Sequence, residues 1–349
     1  MEAAISTVGS LGEFGLIKAL TARMPAGPLT SVGIGDDSAV VAAPSGSVVA
    51  AVDMVLEGRH FLRSWSSGRD VGVKAAARSL ADIAAMGAVP TALLVAFCAP
   101  ESLPASWALD LASGLASEAM RAGAGIVGGD TASAESVLVS VTALGDLSGL
   151  APVRRSGALE GDLVAVCGTL GHSAAGHALL SAGERGPGPA PDAAVPGAAE
   201  PGPDPGLAGL VTVHLRPTPP YDAGPEAARL GATAMIDVSD GLLADLGHVA
   251  AASGVTIDVS SAALVPPDDD PLWRAALASR TDSGVSPGTR VLRWVLTGGE
   301  DHPLVATFPP AVALPPRWRV IGTVRSAGPD GVTVDGMRYS GTAGWQHFR

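Results

Sequence analysis

Short apolar, β-branched runs alternate along this chain with stretches whose apolar residues recur at helical spacing, and that alternation restricts it to an α/β (α+β) fold. Residues 48–52 read as a strand with Asp53 just past its end, and residues 93–98 and 137–144 read as further strands. Residues 71–86 carry Val73, Ala76, Ala77, Leu80 and Ala84 on one helical face and close at Gly87, so Asp82 projects from a helix. Residues 107–122 form a second helix, ended by Gly123. A Gly- and Pro-punctuated stretch near Gly149 divides the chain into domains 1–149 and 150–349. The second domain repeats the pattern, with strands at 163–167, 234–238 and 291–296 and helices at 173–182 and 242–252. Residues 183–209 differ: seven prolines and seven glycines occupy these 27 positions, which predicts a mobile loop inserted between two helices.

Aspartates punctuate this pattern. Asp37, Asp53, Asp82, Asp130, Asp237 and Asp240 all sit in short apolar contexts flanked by glycine or serine, beside a strand end or a glycine turn. Desolvating an isolated carboxylate is costly, and the chain offers only two lysines, Lys18 and Lys74, as ammonium partners. Divalent cations are the natural counter-charge, and hard oxygen donors suit Mg²⁺. Singly, each aspartate has an ordinary explanation: turn chemistry at Asp37, a solvated helix face at Asp82, an N-cap at Asp240. As a set they point to phosphate chemistry.

Other classes are excluded. The net charge of −12 argues against nucleic acid or an anionic membrane as partner. No apolar run reaches the length of a membrane span, the first residues lack the pattern of a signal peptide, and Cys98 and Cys167 sit in apolar runs, so a cytoplasmic protein without disulfides is expected. Gly123-Ala124-Gly125-Ile126-Val127-Gly128 matches the spacing of a dinucleotide fingerprint, but a helix precedes it and a short strand at 126–127 follows, so that reading fails. What matters is the end of that stretch, Gly128-Gly129-Asp130, where missing side chains let phosphate or metal approach the backbone. There is no Walker-type loop, no kinase glycine loop and no zinc spacing. Arg155 is a candidate phosphate clamp, Glu300 follows a glycine turn, His60 lies in Glu57-Gly58-Arg59-His60-Phe61, and Trp345 is placed to anchor the tail or to stack on an aromatic ligand.

The ordered motifs Gly12-Glu13-Phe14-Gly15-Leu16-Ile17, Gly33-Ile34-Gly35-Asp36-Asp37, Glu57-Gly58-Arg59-His60-Phe61-Leu62, Ser79-Leu80-Ala81-Asp82, Gly128-Gly129-Asp130-Thr131, His214-Leu215-Arg216-Pro217, Ile236-Asp237-Val238-Ser239-Asp240-Gly241 and Gly298-Gly299-Glu300-Asp301 together make the chain resemble the thiamine-monophosphate kinase family. That family belongs to the aminoimidazole ribonucleotide synthetase-like superfamily. The resemblance runs from about residue 11 to Trp345 and its neighbours and omits only the Pro/Gly insertion.

The resemblance implies a two-domain architecture: an N-terminal sheet domain that dimerises and contributes to ATP binding, and a C-terminal α/β domain closing the site. It implies transfer of the ATP γ-phosphoryl to thiamine monophosphate with several Mg²⁺ ions, by a homodimer. Carried over by motif, Asp37, Asp53, Asp82, Asp130, Asp237 and Asp240 are metal ligands, with Asp82, Asp130 and Asp237 central to catalysis. Gly129, Asp130, Arg155 and Ser239 contact ATP; His60, Glu300 and Trp345 contact the thiamine substrate. Two departures from the family pattern stand out. Ala51 and Val52 replace hydroxyl residues before Asp53, and His302 replaces a tyrosine after Glu300-Asp301, a change expected to alter packing rather than chemistry. The acceptor is an already ionised phosphate monoester, so positioning and charge neutralisation supply the catalysis and no strong general base is required. The alternatives are a sister enzyme of the aminoimidazole ribonucleotide or selenophosphate synthetase type, a metal-dependent phosphatase, and a non-catalytic nucleotide-binding module.

Overall fold

The computed structural model describes residues 6–35, 38–183, 204–279 and 284–345. The chain divides into two compact units, residues 1–83 with 88–149, and residues 84–87 with 150–349. Among the described residues no helix is long and apolar enough to cross a membrane.

The first unit runs α1 (Val8–Thr21), β1 (Thr30–Val32), β2 (Val40–Val41), β3 (Val49–Leu56), α2 (Gly68–Ala85), β4 (Val89–Ala99), α3 (Ala105–Arg121), β5 (Gly125–Ser133) and β6 (Leu138–Asp146). Its main sheet has the order β3-β6-β4-β5; β6 is antiparallel to β3 and β4, and β5 is parallel to β4. One face is buried: Val55, Val139, Val141, Leu93 and Val95 pack beneath the apolar stripe of α2 that includes Leu80 and Ile83. Ser79 of that helix donates its hydroxyl to the Val141 carbonyl. The opposite face alternates outward, as a half-buried strand must, and leaves Val52, Met54 and Leu94 exposed.

The second unit contains β7 (Leu163–Cys167), α4 (His172–Ser181), α5 (Pro205–Leu215), α6 (Ala223–Leu230), β8 (Ala234–Asp237), α7 (Leu242–Ser253), β9 (Thr256–Val259), α8 (Ser261–Leu264), α9 (Pro271–Ala278), α10 (Pro287–Thr297), β10 (Leu304–Phe308), β11 (Arg319–Arg325), β12 (Val332–Val334) and β13 (Met337–Arg338). Its seven strands order β13-β12-β9-β11-β7-β10-β8, and only the β12–β9 pair is parallel. Val164, Val166, Ile236, Leu304, Phe308 and Ile321 form its apolar centre. Helices α4 and α5 meet backbone to backbone, because a Cβ on Gly176 would lie 2.2 Å from the Leu210 carbonyl oxygen.

Several expectations need correction. Asp53 lies inside β3 rather than past its end, because β6 pairs with the strand continuously from Val49 to Leu56. β5 extends well beyond residues 126–127 and takes Gly128, Gly129 and Asp130 into a strand paired with β4. Residues 291–296 are not a strand; they belong to α10, where Val291, Trp294 and Val295 are buried at helical spacing and Ser286 caps the start. The loop expected over 183–209 ends sooner, since α5 begins at Pro205 with the Asp204 carboxylate accepting the Gly206 N–H. Residues 184–203 of that stretch lie outside the described residues.

Candidate active site

The first unit carries Asp53, His60, Asp82, Gly129 and Asp130; Asp37 lies outside the described residues. Asp53, Val141, Val95 and Gly129 occupy one register row across the four strands. Three strand spacings separate its ends, about 14 Å, so Asp53 and the Gly129–Asp130 segment stand at opposite edges of the sheet. Asp53 faces Arg78 of α2, with Nη2 3.7 Å from Oδ1. Arg78 is one helical turn before Asp82, which is half-buried on the same helix. Asp130 is exposed on the edge strand and accepts the Thr131 N–H at 2.8 Å. The backbone there is crowded: a Cβ on Gly129 would lie 2.0 Å from the Val95 carbonyl oxygen. Beside it opens a largely apolar cavity of about 120 Å³, lined by Ile17, Leu20, Phe97, Leu111 and Leu115 together with Gly129 and Asp130. His60 sits in the turn after β3; its Nδ1 accepts the Leu56 N–H at 3.1 Å, which places the proton of the neutral ring on Nε2.

The second unit carries Arg155, Asp237, Ser239, Asp240, Glu300 and Trp345. β8 and β10 are antiparallel with Asp237 opposite Leu304, so the end of one strand and the entry to the other share one end of the sheet. Beyond the strands the pairing continues: Val238 donates to the Pro303 carbonyl, His302 to that of Val238, and Glu300 to that of Ser239. This holds Glu300 and His302 in left-handed conformations, at φ 65° and 53°. Such positions store strain and cluster at functional sites. Asp240 does not cap α7, whose N-cap is Gly241. Its carbonyl instead accepts the Trp345 N–H at 3.0 Å, which brings the tail tryptophan to the same turn. Glu300 lies 3.8 Å from His214 Nδ1, and that nitrogen is 3.0 Å from the Ser173 hydroxyl.

Arg155 is not brought to this turn. Its carbonyl accepts the Ser253 hydroxyl at the last residue of α7, whereas Ser239 and Asp240 precede the first. At 1.5 Å rise per residue the two ends of that helix are about 17 Å apart.

Two acidic residues escaped the sequence reading. Asp245 reaches back from the first turn of α7 so that one oxygen, Oδ2, accepts the N–H groups of Ser239, Asp240 and Gly241 at 3.0, 3.0 and 3.1 Å. Burial, and then the negative charge of Asp237, push its carboxyl up to about 7. Asp301 accepts the Gly171 and Ser173 N–H groups, both at 2.8 Å, and so ties the 298–302 turn to the start of α4; burial raises it to about 6. The signal was present for the first: an aspartate four residues into a helix that follows a Gly turn can fold back on free N–H groups.

Among the described residues no three His, Cys, Asp or Glu side chains gather closely enough to hold a metal ion by themselves. The all-oxygen donor set nonetheless fits Mg²⁺, which usually takes one or two carboxylates and completes its shell with water and substrate phosphate oxygens.

Residues 35–147 match the family model for AIR synthase related protein, N-terminal domain, which sets the class of the domain that carries this sheet. The likeness extends further than that domain. The chain is 49% identical over 344 residues to the thiamine-monophosphate kinase of Mycobacterium tuberculosis H37Rv, covering 98% of this chain and 93% of that one. The crystal structure of thiamine-monophosphate kinase from Stenotrophomonas maltophilia K279a superimposes with a TM-score of 0.75 at 31% identity, over 93% of this chain and 97% of that chain. AaThiL complexed with AMPPCP and TMP gives a TM-score of 0.71 at 31% identity, over 99% of this chain and 100% of that one. The chain belongs to the thiamine-monophosphate kinase family.

Proposed function

We propose that this chain transfers the γ-phosphoryl group of ATP to thiamine monophosphate, yielding thiamine diphosphate and ADP. The observation that carries the reading is the end-to-end likeness to AaThiL complexed with AMPPCP and TMP, an ATP analogue and the acceptor. The acceptor phosphate is ionised at neutral pH, so transfer is direct and in line, and the protein contributes position and electrostatics rather than a base.

In this reading Gly129, Asp130 and Ser239 hold ATP, without Arg155 at the far end of α7, and His60, Glu300 and Trp345 hold thiamine monophosphate. The apolar cavity next to Gly129 and Asp130 supports the first assignment. The clustering of Glu300 and Trp345 at the Ser239–Asp240 turn supports the second, with the carboxylate balancing the thiazolium charge and the indole stacking on it. Asp37, Asp53, Asp82, Asp130, Asp237 and Asp240 are the carboxylates offered to Mg²⁺, and Asp82, Asp130 and Asp237 are central to catalysis. The ion, when bound, neutralises phosphate charge. Residues 1–149 serve ATP, metal and dimer formation; residues 150–349 complete substrate binding. The exposed Val52, Met54 and Leu94 support a homodimer formed through the sheet face. Free thiols at Cys98 and Cys167 accord with the cytoplasm.

The test is ADP release with and without thiamine monophosphate and Mg²⁺, repeated with Asp82→Asn. ADP formation should require both additions and should be lost in the variant while its circular dichroism is retained. ADP released equally without thiamine monophosphate, or phosphate released from it without ATP, would overturn the assignment.

A further inference from the structure

His302 was expected to influence packing alone, and its surroundings say otherwise. The imidazole is 2% exposed and Asp237 is 4% exposed, so both are withdrawn from water. Nδ1 lies 3.0 Å from Asp237 Oδ2. A carboxylate oxygen only accepts, so Nδ1 carries the proton and donates. The other ring nitrogen, Nε2, is buried with no hydrogen-bond partner among the described residues. A buried nitrogen without a partner is unfavourable, and an apolar residue would fill the same space without it. The contact with Asp237 is therefore the one interaction that accounts for a polar ring at this place. The backbone is committed to it as well: φ is 53°, held by donation from the His302 N–H to the Val238 carbonyl at 3.1 Å.

We infer that His302 is a positioning residue for Asp237. The imidazole fixes Oδ2, so the carboxylate cannot rotate and Oδ1 is the oxygen presented for binding. Carboxylates that serve a site are themselves held by hydrogen bonds, and removing such a support typically lowers activity or metal affinity by about 10- to 100-fold. The inference rests on the kinase reading and goes further, since it gives a role to a residue at which this chain departs from the family motif.

The test compares His302→Leu, His302→Asn and His302→Gln in the full chain. Asn places an amide N–H near the position of Nδ1, Gln near that of Nε2, and Leu neither. Two quantities are read: kcat and KM for thiamine monophosphate, and the dissociation constant for Mn²⁺ by calorimetry. His302→Leu should lower kcat about 10- to 100-fold, leave that KM within about twofold, and weaken Mn²⁺ binding about tenfold. His302→Asn should recover most of both and His302→Gln should not. If His302→Leu fails to fold, the Asn and Gln variants decide. Asn and Gln behaving alike, or a Leu variant with lower thermal stability but unchanged kcat and Mn²⁺ affinity, would overturn the inference. Wild-type protein that releases no ADP with thiamine monophosphate would instead overturn the kinase reading, and the Mn²⁺ series would still judge His302.

Discussion

Asp301→Asn offers a quantitative test of how the 298–302 turn is held. The wild-type carboxylate takes two N–H groups at the start of α4, one on each oxygen. Asn can accept one of them and must turn its NH₂ toward the other, a donor against a donor, which costs about 1–3 kcal/mol at any pH. A second effect depends on pH. Burial raises the folded carboxyl from 3.8 to about 6, so between those values the folded chain keeps a proton that the unfolded chain has released. The stability from this proton is complete below the unfolded value and is lost as pH rises through the folded one. The shift corresponds to about 2 kcal/mol of stability present at a pH of about 4.5 and gone at about 7.5. Asn does not titrate and lacks this contribution. The difference in unfolding free energy between the two proteins, from urea denaturation followed by far-UV circular dichroism, should therefore be about 2 kcal/mol larger at the lower pH. Other carboxylates titrate in both proteins and cancel. A difference that stays level within about 0.5 kcal/mol would show that the two N–H bonds offset burial and keep Asp301 ionised throughout, contrary to the reasoning.

Further outcomes follow from the same geometry. Gly129→Ala forces a methyl to 2.0 Å from the Val95 carbonyl oxygen, so it should destabilise by about 1–3 kcal/mol and abolish nucleotide-dependent ADP release, read by urea titration and coupled assay. Gly299→Ala sets a methyl 2.3 Å from the Ser239 carbonyl oxygen and should raise KM for thiamine monophosphate more than KM for ATP. The Arg317 guanidinium holds the Glu226 carboxyl below its ordinary value, with Trp318 Nε1–H also donating. That stabilisation is present above the unfolded value near 4.5 and lost as pH falls, so Arg317→Met should cost about 0.5–1 kcal/mol at neutral pH, partly screened by solvent, and nothing in strong acid. Met54→Asp should shift the sedimenting species from dimer to monomer if the open sheet face joins two copies.

The legible parts of the fold were those with a single clean period. β7 came out of the sequence with its full extent, 163–167, because five consecutive apolar residues followed by a glycine leave little choice. α10 did not, since the six-residue window 291–296, apolar but for Arg293, fits a buried strand as well as a helix; the deciding signal lay upstream, at Ser286 followed by Pro287. β5 was cut short because two adjacent glycines oppose a strand locally, and only its partner β4 keeps them extended. The aspartates could be picked out as a set, yet their grouping could not. Register separates Asp53 from Asp130, the length of α7 separates Arg155 from Ser239, and Asp301 is recruited by backbone N–H groups at the start of α4 that no sequence motif displays.

The backbone contact of α4 with α5 at Gly176 carries a practical corollary. The two helices are joined by the Pro/Gly-rich stretch, but their mutual placement is set by the packing of Gly176 on Leu210, not by the tether. Lengthening such a connection costs only about 0.6 kcal/mol for each doubling. The joint between these helices is thus the natural place to splice in a fluorophore tag or a protease site while turnover is kept.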